Sequence, residues 1–410
     1  MIRRARSASR GLLLVSASMS GALGAPACQP ARSVAASEPF VGASDPGAAA
    51  ARDWDAVFTR TSGWTGADGA GTVELPGGRL MWLFGDSWIG PVQDGRHAAG
   101  SVIVNNTIAL QLVGPTPPSG GQLEFLWGAA DAIGKPTAWV TPVGAGLARS
   151  APWFWPTGGG IVAPGPLGRD RLLVFMTRLA RKDASESIWN FEPSASTLLV
   201  VDNPAEPPQR WHIEQHAIAD ARDATGRQVT WGAAALTAPE GQLIVFGIDA
   251  SSTRDKRVVV ARVPAATAEQ FVTWRFWDGR DWTDAPASAA RVAGPVASEV
   301  SIHRLRLRGR ERYAMVYADI MFGSRILSRT APSPEGPWSG PVTLYTCPEP
   351  GADQRLFVYA AKAHPELSRP GELLVSYSVN SNDFWDVAAH ADKYRPRFVR
   401  VSERTLEPKP

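Results

Sequence analysis

A short apolar strand that runs into a polar residue recurs along this chain, and that recurrence constrains the fold more than any other feature. The copies read LMWLFGD (80–86), LLVFMTR (172–178), LIVFGID (243–249), YAMVYAD (313–319) and LLVSYSVN (373–380). A turn precedes each one: Pro76-Gly77-Gly78, Gly168-Arg169-Asp170, Glu240-Gly241, Gly309-Arg310 and Pro370-Gly371. Before each turn lies another strand-like segment (GAGTVEL, GGGIVAP, GAAALTA, EVSIHRL, YAAKAHP), and after each pair a third (NTIALQL, STLLVVD, RVVVARV, RILSRTA, RFVRVSE). Helical periodicity is almost absent. Five units of about 72 residues across 53–410 predict an all-β chain, a single five-bladed β-propeller. The segment DAVFTR (55–60) is the expected strand that pairs into the last unit and closes the ring.

The start of the chain reads differently. Arg3, Arg4, Arg6 and Arg10 precede the modest apolar run GLLLVSASMSGALG, and Ala25-Pro26-Ala27 offers a small-x-small cleavage site. Residues 1–27 are therefore expected to be an export signal, which places the chain in a secreted, periplasmic or cell-surface location. Cys28 then stands where a lipid anchor could be attached, with plain secretion the equal alternative. Residues 28–52, rich in Ala, Ser and Pro, read as a tether, and 53–410 as the folded domain. Only Cys347 remains beyond Cys28, so neither disulfides nor a cysteine metal site shape the fold. A net charge of +3 without a basic stripe argues against nucleic acid as a partner. Sixteen Trp against six Tyr supplies core mass, and also flat platforms for sugar rings. A monomer is the default expectation.

In a propeller the innermost strand of each unit begins at the face where the second strand ends, so those residues ring the mouth of a central channel. Hairpin arithmetic then nominates the lining. Pairing about Gly77 sets Asp68 opposite Asp86, and pairing about Gly309 sets Glu299 opposite Asp319. A turn centred on Glu240 sets Trp231 opposite Asp249. The fifth unit brings Ala360 opposite Asn380, beside Tyr359 and Lys362; the second brings 158–160 opposite Arg178, with Trp155 just before.

Opposed carboxylates are costly, because like charges on facing residues destabilise a sheet. The same proximity raises one of the two pKa values, so one acid keeps its proton while the other is ionised. Glycoside hydrolysis needs that combination. Asp68 is read as nucleophile or base, Asp86 as general acid/base and Glu299 as a third carboxylate, with the first two roles exchangeable. Trp155, Trp231, Asp249, Asp319, Tyr359, Lys362, His364 and Asn380 are candidate substrate contacts. Structural roles compete for each: strand-end aspartates bond turn amides, and Trp231, Trp155, His303 and His364 suit a core. No cofactor is implied; a structural cation in the channel is open, although no EF-hand or zinc pattern occurs. Gly85-Asp86-Ser87 also resembles a serine nucleophile turn, but the nearest acid–histidine pair, Asp386 and His390, is one residue too widely spaced and no α/β alternation exists.

Three stretches carry a family resemblance: GADGAGTVELPGGRLMWLFGDSWIG, SPEGPWSGP and YAAKAHPELSRPGELLVSYSVNSNDFWDVAAHADKYRPRFVRV. They resemble bacterial secreted five-bladed propellers known as domains of unknown function, which look like the clan of arabinanases and fructan hydrolases. A related group contains endo-D-arabinanases, which cut the D-arabinan of mycobacterial cell walls. In that group two aspartates of the first blade carry catalysis, and the resemblance implies that Asp68 in GADGAG and Asp86 in FGDS match them. It also places Asn380 near the pocket. The expectation is an exported glycoside hydrolase acting on furanose-rich polysaccharide. The competing readings are a non-catalytic carbohydrate-binding propeller and a lyase using Tyr359 and His364.

Overall fold

The computed structural model describes residues 47–407, apart from 115, 119–121, 146–150, 167, 184, 186, 188 and 321–322. The export signal, Cys28 and most of the tether lie outside the described residues. The chain is all-β, with antiparallel sheets built one after another. The first sheet holds Gly71–Leu75, Arg79–Phe84, Thr107–Leu112 and Glu124–Leu126. The second holds Trp153–Pro164, Asp170–Ala180, Glu192–Val201 and Ile213–Asp220. The third starts at Val229–Ala238 and Gln242–Asp249, the fourth at Val300–Leu307 and Arg310–Ala318. The fifth joins Leu356–His364, Glu372–Ser381, Arg397–Ser402 and, from the start of the folded region, Ala48–Ala50.

The apolar runs explain the arrangement. In LMWLF, Leu80, Trp82 and Phe84 pack toward the fifth sheet, while Met81 and Leu83 pack toward the second. Leu173 and Phe175 face the third sheet, Ile244 and Phe246 the fourth, and Val316 and Ala318 the fifth. The second strand of each sheet is thus buried on both faces, which is why it reads as a continuous apolar run rather than an alternating one. Complete burial of a side chain such as Phe84 stabilises by about 2–3 kcal/mol. The described residues form seven sheets, and the first strands of these five neighbour one another in turn, the fifth returning to the first.

Two expectations at the start of the domain are corrected. Ala48–Ala50, assigned to the tether, is a strand paired with Arg397–Ser402, and Ala51 is fully buried. DAVFTR does not pair as a strand: Arg52–Val57 is a helix that inserts Trp54 between Trp82 and Phe398. The apolar spacing of Trp54 and Phe58, four residues apart, suits one face of a helix turn.

Candidate active site

The first hairpin is the one that keeps the register expected from its turn. Gly71 faces Leu83 and Leu75 faces Arg79 across Pro76-Gly77-Gly78, with Gly77 and Gly78 in the left-handed region. Further out, Ala67 faces Ser87, still symmetric about Gly77. Between these pairs the backbone N–H of Asp68 donates to the Asp86 carbonyl (3.3 Å), and Gly85 N–H donates to the Asp68 carbonyl (3.0 Å). Asp68 therefore stands opposite Gly85-Asp86, and both acids are only partly exposed.

Each carboxyl is tethered by one oxygen. Asp68 Oδ2 accepts from the phenols of Tyr359 (2.7 Å) and Tyr394 (2.9 Å). Asp86 Oδ1 accepts from the Trp155 indole (2.7 Å) and the Asn105 amide (3.2 Å). Asp68 Oδ1 lies over Gly85, where a Cβ would come within 2.2 Å of it, so any larger residue at 85 displaces that carboxyl oxygen. Burial, followed by the charge of Asp86, raises Asp68 to about 7 against the two phenol donors, and the Glu299 charge adds to the rise. Burial raises Asp86 to about 6, opposed by Trp155 and Asn105. Both phenols are themselves lifted well above the usual tyrosine value, by burial and then by the Asp68 charge, so they remain donors. The arrangement can hold one proton between two carboxyls near neutrality, with a free oxygen on each.

The remaining candidates divide. Asn380 faces Phe357 rather than Ala360, yet its amide reaches the Tyr359 hydroxyl at 3.4 Å and steadies that donor. Glu299 stands just before the fourth hairpin, whose last pair is Val300 with Tyr317, a register offset by one from that expected, because the hairpin turns on the two residues Arg308 and Gly309. Asp319 pairs with Arg325 (2.8 Å) within its own hairpin. Asp249 faces Val229; burial would raise it, but Arg291, Ser251 and Arg227 hold it at about 2. It is a structural ion pair. Trp231 faces Gly247 and is buried against Trp274 and Phe276, a core residue rather than a sugar platform. Arg178 faces Phe154.

Lys362 is 2% exposed. Its ammonium donates to the Val300 carbonyl (2.8 Å) and abuts Gly158, where a Cβ would meet Nζ at 2.3 Å. Burial lowers it to about 8, opposed by the charge of Glu299. It thus joins the first strands of the second, fourth and fifth sheets. His364 is fully buried between Thr72 and Ser376, each at 2.8 Å, and burial lowers its pKa well below the usual range. Neither residue is positioned to contact a substrate at the acid pair. Thr72, Glu74, Gly158, Ser301, His303 and Glu366 line a cavity of about 370 Å³ that does not include the acids. Among the described residues no group of three His, Cys, Asp or Glu side chains is disposed to hold a metal ion. Ser87 is buried and bonded to Thr107 (2.8 Å) and the Gly85 carbonyl (2.9 Å), which removes the serine-nucleophile reading.

Sequence reasoning missed Tyr394 and Asn105. Tyr394 lies 326 positions from its partner Asp68, in the excursion between Glu372–Ser381 and Arg397–Ser402. No local pattern announces it.

An all-β chain of successive antiparallel sheets with a carboxyl pair at one end of the first hairpin is the class that fold and site define. The chain belongs to the DUF5005 family, a domain of unknown function, whose pattern matches residues 51–404. A candidate hydrolase from Bacteroides ovatus shares its fold: the TM-score is 0.66 at 22% identity, covering 86% of this chain and 90% of that one. Looser likenesses include a Dyadobacter fermentans protein of unknown function (TM-score 0.42, 14% identity, 81% of this chain and 75% of that one). Another is an α-L-arabinofuranosidase from Podospora anserina (TM-score 0.44, 10% identity, 82% and 91%). No match was found among curated proteins.

Proposed function

We propose that this chain is an exported glycoside hydrolase on a five-bladed β-propeller, acting on furanose-rich polysaccharide, D-arabinan or a related arabinan first. The observation that carries the reading is the Asp68/Asp86 pair: two facing carboxyls, each gripped by neutral donors on one oxygen and free on the other. The five sheets, with first strands in cyclic contact, support the blade count.

The electrostatics favour exchanging the roles first expected. Asp68 feels the like charges of both Asp86 and Glu299, so it holds the shared proton and serves as general acid to the leaving oxygen. Asp86 is ionised and attacks the anomeric carbon, giving a glycosyl–enzyme ester as the glycosidic bond breaks. Asp68, now a carboxylate, takes a proton from water, whose oxygen displaces Asp86 from the sugar and returns the pair to its starting state. Placement on facing strands suits the short carboxyl separation of a retaining enzyme, roughly 5–5.5 Å.

The test incubates the purified protein with arabinogalactan containing D-arabinan, plant arabinan, levan and pectin, and separates the products. Oligosaccharides released from one polymer are expected, with Asp68→Asn and Asp86→Asn each slower by about 10³-fold. Retention of a polymer by wild type and both variants, with no release from any, would establish the binding-module alternative instead.

A further inference from the structure

The excursion that supplies Tyr394 carries a second feature. Its first turn, the short helix Phe384–Ala389, presents Trp385 with 75% of its surface in solvent. Exposed single hydrophobes are common on protein surfaces, and the side chain alone says little. Its mounting says more. Asp383 caps the helix by accepting from the Trp385 backbone N–H (3.0 Å), and Ser381 in turn holds Asp383 (3.1 Å). Asp386 is buried beneath the helix and accepts from Lys393 through both oxygens (2.9 and 2.7 Å), with Arg355 and His390 alongside. Ala391 N–H is tied to the Gly95 carbonyl (2.8 Å). A segment so braced holds its indole in one place.

That place adjoins the acids. Asp86 lies in the bend that leads into the strand Ser87–Ile89, and Trp88 of that strand packs with Tyr394, whose phenol holds Asp68. Trp88 stacks on His97 at 4.1 Å and on Phe384 at 6.2 Å, and Trp385 follows Phe384 directly, their rings 5.6 Å apart. Asp86 is bonded to Trp155, which packs on Phe191 at 4.8 Å. Aromatic side chains thus reach both acids, and Trp385 is the exposed end of the group that holds Trp88, Phe384 and Tyr394.

We propose that Trp385 is a stacking platform for a sugar ring of the polysaccharide, one or more residues removed from the bond held at Asp68 and Asp86. The inference rests on the hydrolase reading above and adds the subsite that reading lacks. The apolar face of a furanose ring lies on the indole, and the rigid excursion fixes its distance from the acids, since the same segment ends in the Tyr394 bond to Asp68. Because the indole is exposed, its truncation leaves the fold intact.

The test measures retention in polymer-loaded gels, in an Asp86→Asn background that blocks turnover. Trp385→Ala is expected to weaken retention about tenfold, Trp385→Phe to restore most of it, and Val272→Ala, an exposed side chain in the short 3-10 helix Phe271–Thr273, to leave it unchanged. Equal retention of Trp385→Ala and its parent overturns the platform while leaving the hydrolase reading in place. Failure of the parent to bind any polymer overturns both. A fall in solution mass on Trp385→Ala, read by light scattering, overturns the platform in favour of a self-association contact.

Discussion

Asp68 holds its raised pKa at the expense of the fold, and that cost is measurable without knowing the substrate. A carboxyl titrating at about 7 rather than 3.8 binds its proton more tightly in the folded chain than in the unfolded one. The folded state therefore carries more protons between those values, and stability falls as pH rises through that window. Below it both states are protonated and there is no penalty; above it both are ionised and the penalty is complete. At 1.36 kcal/mol per unit the ceiling is about 4 kcal/mol, and the partly exposed edge of the residue reduces the expected value to about 2–4 kcal/mol. Asp68→Asn removes the charge and keeps an oxygen for the phenols of Tyr359 and Tyr394. It is thus expected to be more stable than wild type by about 2–4 kcal/mol at pH 8, and equal to it near pH 4. Urea unfolding of both proteins at pH 4, 6 and 8 reads the difference directly. A gap that does not change with pH, or a wild type more stable at pH 8, would refute the electrostatic account of the pair.

Two smaller changes probe the same geometry. Gly85→Ala drives a methyl against Asp68 Oδ1, and turnover is expected to fall about 10²-fold with little movement of the urea midpoint; equal losses of both would point to a backbone role alone. Tyr394→Phe removes a donor that favours the ionised carboxyl, so Asp68 keeps its proton to higher pH. The basic limb of the pH–rate profile should then rise by about one pH unit, and a downward shift would contradict the assignment of Asp68 as the acid.

The acid pair was legible because the first hairpin is regular from its three-residue turn out to Leu83, leaving nothing to disturb the arithmetic. The other hairpins defeat the same reasoning for a physical cause. In the second, third and fifth sheets the first strand bulges, between Pro156 and Gly160, between Trp231 and Ala234, and between Tyr359 and Lys362, while the fourth hairpin is regular but turns on two residues. Two extra residues at the first two bulges and one at the third shift the pairing beyond them, so residues nominated by counting from the turn fall against other partners. Gly158 and Gly232, with φ of 131° and 96°, are the sequence trace of two of these bulges, since glycine inside a strand often marks one. The third is invisible in composition: Ala360 takes φ 49° without being glycine. The apolar runs predicted the sheets well because each had to be covered twice. Tyr394 and Asn105 reach the acids through tertiary packing that no spacing encodes.

Lys362 fastens sheets that lie far apart in the sequence. Its side chain crosses from the fifth sheet to the Val300 carbonyl of the fourth and the Gly158 backbone of the second. One ammonium thus stands where the backbones of three strands converge, and a change at this single position is felt by three sheets at once.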